Sequence, residues 1–187
     1  MIKRELYMNR IRPFIGGELI KVMTGIRRSG KSVMLELIKE ELAEAGVAPS
    51  QMISINFEDM RYSHLQTATA LHDEIIKRAE GIEGKAYLFF DEIQEVEGWE
   101  KCVNSLRVAL DCDIYITGSN AKLLSGELAT YIGGRYVEFV IYPFSFAEFL
   151  ELYHTIAPSD SIQQCFQKYL LAGGMPYLAN LRYEEEP

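Results

Sequence analysis

The stretch that decides the fold is Gly25-Ile26-Arg27-Arg28-Ser29-Gly30-Lys31-Ser32, which fits the pattern G-x-x-x-x-G-K-[ST] at every position. A short, largely apolar run over 19–24 precedes it and predicts a buried strand. Apolar residues at three- and four-residue spacings follow over 31–45 and predict an amphipathic helix. A glycine-bounded turn between a strand and a helix can wrap a phosphate, because glycine has no Cβ to obstruct the backbone.

Each residue type in this loop has a predicted role in holding a phosphate. The backbone amides from about Arg28 to Ser32 are expected to point inward, at the positive end of the helix that follows. Lys31 would place its charge on the β- and γ-phosphates, and Ser32 would offer its hydroxyl to Mg²⁺. The side chains of Arg27 and Arg28 are expected to be solvated. The predicted nucleotide-binding residues are therefore Gly25, Arg28, Ser29, Gly30, Lys31 and Ser32.

Strand and helix patterns alternate along the rest of the chain. Further strands are predicted over 52–57, 86–90, 114–117 and 136–142, with helical spacing between them. This alternation predicts an α/β fold of the P-loop NTPase type, a parallel five-stranded sheet with helices on both faces. We expect this core over 1–144. A small helical segment over 145–187 would form a lid or the start of a truncated C-terminal region, and Ser145-Phe146-Ala147-Glu148 has the form of a capping box at its start.

An acidic pair, Asp91-Glu92, stands where the apolar strand over 86–90 ends. Asp91 suits the shell of a Mg²⁺ ion, directly or through water, so the predicted metal ligands are Ser32 and Asp91. Glu92 would polarise a water for in-line attack on the γ-phosphate. Lys31 and Glu92 are thus the first two predicted catalytic residues.

Two further positions extend the predicted catalytic set. Ser119 or Asn120, after the strand over 114–117, could hold the attacking water and sense the γ-phosphate, since strand carboxyl ends gather at the ligand crevice of a parallel sheet. A turn with a helix cap is the competing interpretation, and one residue could do both. Arg135 follows two glycines at an exposed corner and could reach the γ-phosphate of a neighbouring subunit in a homo-oligomer. A structural ion pair is the alternative for Arg135.

The chain resembles an AAA+ type P-loop ATPase over about residues 5–183. It is more closely similar to a family of prokaryotic ATP-binding proteins in which an AAA-like domain precedes a nuclease-like C-terminal domain. The resemblance implies binding of ATP and Mg²⁺, hydrolysis at Glu92, and an Asn56 side chain that holds Glu92 in check. It also implies an unknown protein or nucleic-acid client, bound through a C-terminal domain absent from this chain. The residues that carry it are the loop over 24–32, Phe57-Glu58-Asp59-Met60-Arg61, Phe90-Asp91-Glu92-Ile93-Gln94-Glu95-Val96, Trp99-Glu100, Ile116-Thr117-Gly118-Ser119-Asn120-Ala121-Lys122-Leu123-Leu124-Ser125, Gly134-Arg135 and Tyr142-Pro143-Phe144-Ser145-Phe146.

Composition narrows the class of protein. The chain has 187 residues, with 19 Lys and Arg against 27 Asp and Glu and a net charge of -8. This balance does not favour a protein that binds a nucleic-acid backbone over a broad surface. The 3 Cys show no metal-ligand spacing and are expected to be reduced thiols. No apolar stretch is long enough for a membrane span, so we expect a cytoplasmic protein without membrane contacts.

The predicted function is Mg²⁺-dependent ATP hydrolysis coupled to a conformational change on an unknown client. Two alternatives remain open at the level of sequence. One is a non-catalytic ATP-binding switch or scaffold. The other is a P-loop kinase that transfers phosphate to a small molecule. Release of ADP and phosphate without an acceptor would separate hydrolysis from phosphoryl transfer.

Overall fold

The computed structural model describes residues 2–119 and 132–176, and its centre is a sheet of five parallel strands. The strands lie in the order β2-β3-β4-β1-β5. This confirms the predicted parallel sheet, although the last strand is shorter than the expected 136–142. The strands are β1 (Ile20–Thr24), β2 (Met52–Asn56), β3 (Ala86–Asp91), β4 (Cys112–Thr117) and β5 (Tyr136–Val140).

In the described part of the chain, a helix follows each of β1, β2, β3 and β5 as the alternation predicts, and one additional helix precedes the strands. That helix, α1, has 7 residues, too few for an apolar period to stand out in the sequence. Among the described residues, no helix combines the length and the apolar character that crossing a bilayer requires. The helices are α1 (Glu5–Ile11), α2 (Lys31–Glu44), α3 (Ala68–Ala79), α4 (Trp99–Ala109), α5 (Phe146–Tyr153) and α6 (Ile162–Ala172), with short 3-10 turns at Arg12–Phe14, Pro49–Gln51, Met60–Leu65 and Ile93–Glu95.

Apolar side chains cover both faces of the sheet, as expected for central parallel strands. In β3, Leu88 and Phe90 pack on one face in a cluster that includes buried residues of α3 and α4. Phe89 lies on the other face, in a cluster with α1 and α2, and stacks on Tyr115 of β4 at a ring separation of 4.8 Å. The sheet is therefore held between two helical layers, which confirms the predicted architecture.

The helices after the sheet form a smaller apolar cluster of their own. Phe149 and Tyr153 of α5 stack on each other, and Cys165 of α6 is fully buried beside them. Phe144, which precedes α5, and Ile2, which precedes α1, complete this cluster. The expected division of the chain after residue 144 remains a prediction.

A buried ion pair closes the amino-terminal edge of the sheet. Lys21 in β1 and Asp113 in β4 are both 0% exposed, and the Lys21 ammonium donates to the Asp113 carboxylate. Asp113 also accepts hydrogen bonds from the Tyr115 hydroxyl at 2.6 Å and from the Gly16 amide at 2.6 Å. Burial lowers the pKa of Lys21, and the Asp113 charge opposes that shift. The pair thus depends on both partners to keep two charges out of water.

Asp113→Asn should destabilise the fold strongly, because it leaves the Lys21 ammonium buried without a counter-charge. We expect a loss of about 3–5 kcal/mol in the free energy of unfolding, measured by urea denaturation. Asp111→Asn is the matched control: Asp111 pairs with Lys85 at 2.7 Å, but its side chain is 69% exposed. That change should cost less than about 1 kcal/mol. Equal losses in the two variants would contradict the importance of the buried pair.

Candidate functional site

The carboxyl ends of the strands bring the predicted site residues to one edge of the sheet. Thr24, Asp91 and Thr117 are the last residues of β1, β3 and β4. Strand β4 lies between β1 and β3, so the acidic pair is one strand removed from the phosphate loop. The Lys31 ammonium, from the first residue of α2, lies 3.6 Å from Oε1 of Glu92 across this separation. The loop and the acidic pair therefore form one site.

Backbone geometry explains the glycines of the loop. Gly25 has a φ of 147°, and a Cβ there would lie 2.3 Å from the Ile141 carbonyl oxygen, so only glycine fits beside the end of β5. Gly30 has a φ of 98° and leads directly into α2. Arg28 also adopts a left-handed conformation, with a φ of 66°. Successive left- and right-handed residues create the concave arrangement of amides that binds anions.

The amides that can serve this concavity are those at the start of α2. The N–H groups of the first helical turn, over 30–33, have no carbonyl partner within the helix. The Ser29 amide differs from the expectation, because it donates within the loop to the Ile26 carbonyl at 3.2 Å. The Ser29 hydroxyl is buried without a hydrogen-bond partner among the described residues. The donor set of the loop thus centres on Gly30 and the residues after it.

Lys31 lies inside the site rather than on its surface. Its side chain is 4% exposed, and its ammonium lies 3.6 Å from Oε1 of Glu92. The ammonium also faces the carbonyl oxygens of Gly25 at 3.4 Å and Ile26 at 3.3 Å. A buried ammonium held by long contacts to carbonyl groups is well placed to exchange them for a stronger anionic partner.

Asp91 is 7% exposed and is held from two sides. The Thr117 hydroxyl donates to Oδ1, and the Asn56 side-chain amide donates to Oδ2 at 3.1 Å. Burial raises the pKa of Asp91, while the hydrogen bonds from Thr117 and Ser32 oppose that shift. The carboxylate is therefore desolvated and fixed in direction, which suits a ligand for a small cation.

Glu92 occupies a strained backbone position at the end of β3. Its φ of 55° and ψ of 48° are left-handed, a conformation that side-chain-bearing residues adopt rarely. The Thr117 hydroxyl accepts the Glu92 amide at 3.0 Å and so helps to hold this conformation. Gln94 donates to Oε2 of Glu92 at 2.6 Å, leaving Oε1 directed toward Lys31. Strain held in place by neighbouring contacts is typical of functional positions.

The structure departs from the expectation about Asn56 and adds two residues to the site. Asn56 hydrogen-bonds Asp91, not Glu92, because Asn56 and Asp91 are register partners on neighbouring strands. Gln94 makes the contact to Glu92. Thr117, the last residue of β4, hydrogen-bonds to both Asp91 and Glu92. Its position as a polar residue at the end of an apolar strand was the signal in the sequence that could have identified it. Gln94 had no comparable signal in the sequence.

The remaining predicted catalytic residues lie in different places. Ser119 follows β4 at the carboxyl edge and is partly exposed. Asn120 lies outside the described residues. Arg135 is exposed and donates to the Asn104 side chain at 2.8 Å. It precedes β5 at the amino-terminal edge of the sheet, since Tyr136 pairs with Ile20 at the start of β1. Arg135 is thus at the opposite end from the phosphate loop.

A cleft of about 480 Å³ opens in front of the loop. Such a volume is within the range of small-molecule sites. Within the described ranges, no group of three or more His, Cys, Asp or Glu side chains could hold a metal by itself. The Ser32 and Asp91 oxygens nevertheless fit Mg²⁺, which binds through one or two protein oxygens together with phosphates and water. The residues that line the cleft include Arg28, Gly30, Lys31, Ser32, Glu92 and Pro176.

The sequence of this chain matches known proteins over most of its length. A family model described as an AAA domain matches residues 18–150. An uncharacterized protein of Haemophilus influenzae is 44% identical over 176 residues, which is 94% of this chain and 44% of that protein. The chain therefore spans less than half the length of this curated relative.

Two solved structures share the fold at low sequence identity. The Orc1 protein of Aeropyrum pernix, solved in complex with DNA, has a TM-score of 0.59 and 16% identity, covering 100% of this chain and 56% of that chain. The AMPPCP-bound DnaA of Aquifex aeolicus has a TM-score of 0.53 and 15% identity, covering 98% of this chain and 65% of that chain. At such identities the likeness concerns the fold alone. Together with the family match, the parallel sheet and its phosphate loop show that this chain belongs to the AAA domain family and is an AAA+ type P-loop ATPase in fold.

Proposed function

We propose that this chain binds ATP with Mg²⁺ and hydrolyses it, and that hydrolysis drives a conformational change on a client. The observation that carries this proposal is the approach of Glu92 to the phosphate loop, with its Oε1 3.6 Å from the Lys31 ammonium. A carboxylate beside the charge that would hold the γ-phosphate is placed to act on a water there.

Phosphate binding follows from the donors of the loop. The amides at the start of α2 and the Lys31 ammonium would surround the β- and γ-phosphates. Lys31 would then exchange its carbonyl contacts with Gly25 and Ile26 for phosphate oxygens. Ser32 and Asp91 would hold Mg²⁺, which supplies neutralisation of phosphate charge when bound.

Glu92 supplies the chemistry of the cleavage step. Its carboxylate would accept a proton from water as the water oxygen forms a bond to the γ-phosphorus and the bond from that phosphorus to the β–γ bridging oxygen breaks. The products are ADP and inorganic phosphate. Gln94 holds the other carboxylate oxygen at 2.6 Å and so fixes the direction of the base. Ser119 or Asn120 keeps the proposed role of holding the attacking water and sensing the γ-phosphate.

Arg135 is proposed to act on a neighbouring subunit. The strands of the sheet have 5 or 6 residues, so their two ends lie roughly 16–20 Å apart at about 3.3 Å per residue. Arg135 at the amino-terminal edge is therefore too far from its own phosphate loop for direct contact. An exposed arginine at this end can reach a γ-phosphate only in another copy of the chain.

The client is proposed to be recognised by parts of longer family members outside this chain. The relative from Haemophilus influenzae is more than twice as long as the matched region, since the match covers 44% of it. The net charge of -8 does not favour contact between this core and a phosphate backbone over a broad surface, so a nucleic-acid client is proposed to bind elsewhere in the longer family members. A nuclease-like domain in that position remains a prediction.

Glu92→Gln should retain ATP binding and lose turnover. The amide cannot accept the proton, so we expect phosphate release at least about 10²-fold slower. Glu97→Gln, which changes an exposed acid in the same loop, is the matched control and should keep wild-type turnover.

Lys31→Ala should lose nucleotide affinity, measured by calorimetry, because it removes the buried cation.

The same measurements separate the alternatives. Unaltered phosphate release in Glu92→Gln would remove Glu92 from the role of base. Binding without turnover in the wild type would favour the switch or scaffold. Turnover that appears only with an acceptor would favour the kinase. If Lys31→Ala binds ATP with unchanged affinity, the assignment of the phosphate site fails.

Arg135→Ala should slow hydrolysis by about 10³-fold or more, but only where subunits assemble. Asn104→Ala is the matched control, because it removes the internal hydrogen bond of Arg135 and keeps the charge. Mixing Arg135→Ala with Glu92→Gln should restore part of the activity, since some interfaces then combine an intact base with an intact arginine. Failure of the mixture to regain activity in an assembled state would exclude a role between subunits.

A further inference from the structure

Arg4 is a buried arginine that precedes α1 and contacts the phosphate loop. Its side chain is 1% exposed. The guanidinium donates to the Ser29 carbonyl at 2.9 Å, to the Tyr142 carbonyl at 2.8 Å and to the Glu148 carboxylate at 2.8 Å. It also lies over the Tyr7 ring, 4.6 Å from the centroid. The guanidinium therefore joins three separate parts of the chain through charge-assisted hydrogen bonds.

The contact to Ser29 sets the direction of an amide in the loop. The Ser29 carbonyl and the Gly30 N–H belong to one peptide unit, and in a planar trans peptide these two groups point in opposite directions. Gly30 lines the cleft, and a Cβ there would lie 3.3 Å from Nη1 of Arg4 and 3.9 Å from Cγ of Pro176. By holding the Ser29 carbonyl, Arg4 fixes the direction of the Gly30 N–H, one of the amides at the start of α2 that would meet an anion.

Glu148 connects the same guanidinium to α5. It lies in the first turn of that helix and also accepts hydrogen bonds from the Ser145 amide at 2.8 Å and the Ser145 hydroxyl at 2.9 Å. Burial acts to raise the pKa of Glu148, but the hydrogen bonds from Arg4 and Ser145 bring that pKa below its ordinary value. The carboxylate is therefore ionised and shared between the loop-holding arginine and the start of α5.

The end of α6 returns to the same cleft. The Phe144 amide donates to the Gly174 carbonyl at 2.6 Å, and the Tyr169 hydroxyl donates to the Phe144 carbonyl at 2.9 Å. These contacts hold the turn after α6 so that Pro176 lines the cleft. The pair of helices α5 and α6 is thus attached to the phosphate loop at one point through Arg4 and to the cleft at another through Pro176.

We propose that Arg4 is a positioning residue for the phosphate loop, and that Arg4 and Glu148 together couple occupancy of the loop to the helices α5 and α6. This inference rests on the proposed binding of ATP. A bound phosphate fixes the peptide unit between Ser29 and Gly30, which fixes the guanidinium and, through Glu148, the first turn of α5. Such coupling is reciprocal, so restraint of the helices also favours the binding-competent loop.

The test measures amide hydrogen exchange with and without a non-hydrolysable ATP analogue and Mg²⁺. In the wild type, the analogue should slow exchange both in the loop and in Phe146–Tyr153. Glu148→Gln keeps an N3 side chain able to cap α5 but loses its charge toward Arg4. It should keep the protection of the loop on adding the analogue and lose that of Phe146–Tyr153. Glu41→Gln is the matched control: Glu41 pairs with Arg12 at 2.9 Å away from the loop, so both effects should persist.

Arg4→Lys tests the positioning role itself. Lysine keeps the charge but replaces the extended planar guanidinium by a compact ammonium, which does not reproduce the geometry of the three contacts, so analogue affinity should fall at least about tenfold, the equivalent of one charge-assisted hydrogen bond. Thermal melts without nucleotide check that each variant folds. Wild-type affinity in Arg4→Lys, or retained helix protection in Glu148→Gln, would overturn the inference. If the wild type binds the analogue but Phe146–Tyr153 is not protected, the coupling inference fails and the proposed function stands. If the wild type binds no analogue, both fail.

Discussion

The parallel alignment of β1, β3 and β4 is the constraint on which the site depends. Antiparallel neighbours would send alternate strand ends to opposite edges of the sheet. Here Thr24, Asp91 and Thr117 end at the same edge, where α2 begins. Backbone donors, a buried ammonium and two carboxylates meet there without any one element having to leave its regular geometry, except at Glu92.

The charged residues at the two edges of the sheet have different environments. At the amino-terminal edge, Lys21 and Asp113 are closed to solvent, and the Gly17 carbonyl, the Gly16 amide and the Tyr115 hydroxyl complete their hydrogen bonds. At the carboxyl edge, Lys31 lies 3.6 Å from Glu92, a separation longer than a direct hydrogen bond. The first arrangement is complete within the chain, whereas the second keeps its electrostatic interactions available to a ligand.

Regular elements and the loop pattern could be predicted from the sequence because their signals are local. The strands showed as apolar runs, and the residues of the loop are fixed by a contiguous pattern. Contacts between distant parts of the chain gave no such signal. Arg4 follows Lys3 near the amino terminus and belongs to no recognisable motif, yet its partners include residues 25 and 144 positions away. Asn56 was assigned to Glu92, while the strand register delivers it to Asp91.

The left-handed backbone at Glu92 has a consequence for the design of inactive variants. Asparagine and glycine tolerate this conformation better than glutamate does. Either residue would reduce the backbone strain at position 92 and remove the acid in the same step. An inactive protein made in that way could therefore be more heat-resistant, and its site could be differently shaped where the γ-phosphate would bind. Glutamine retains the torsional penalty and the side-chain length, which makes it the cleaner choice for trapping a substrate-loaded state in structural work.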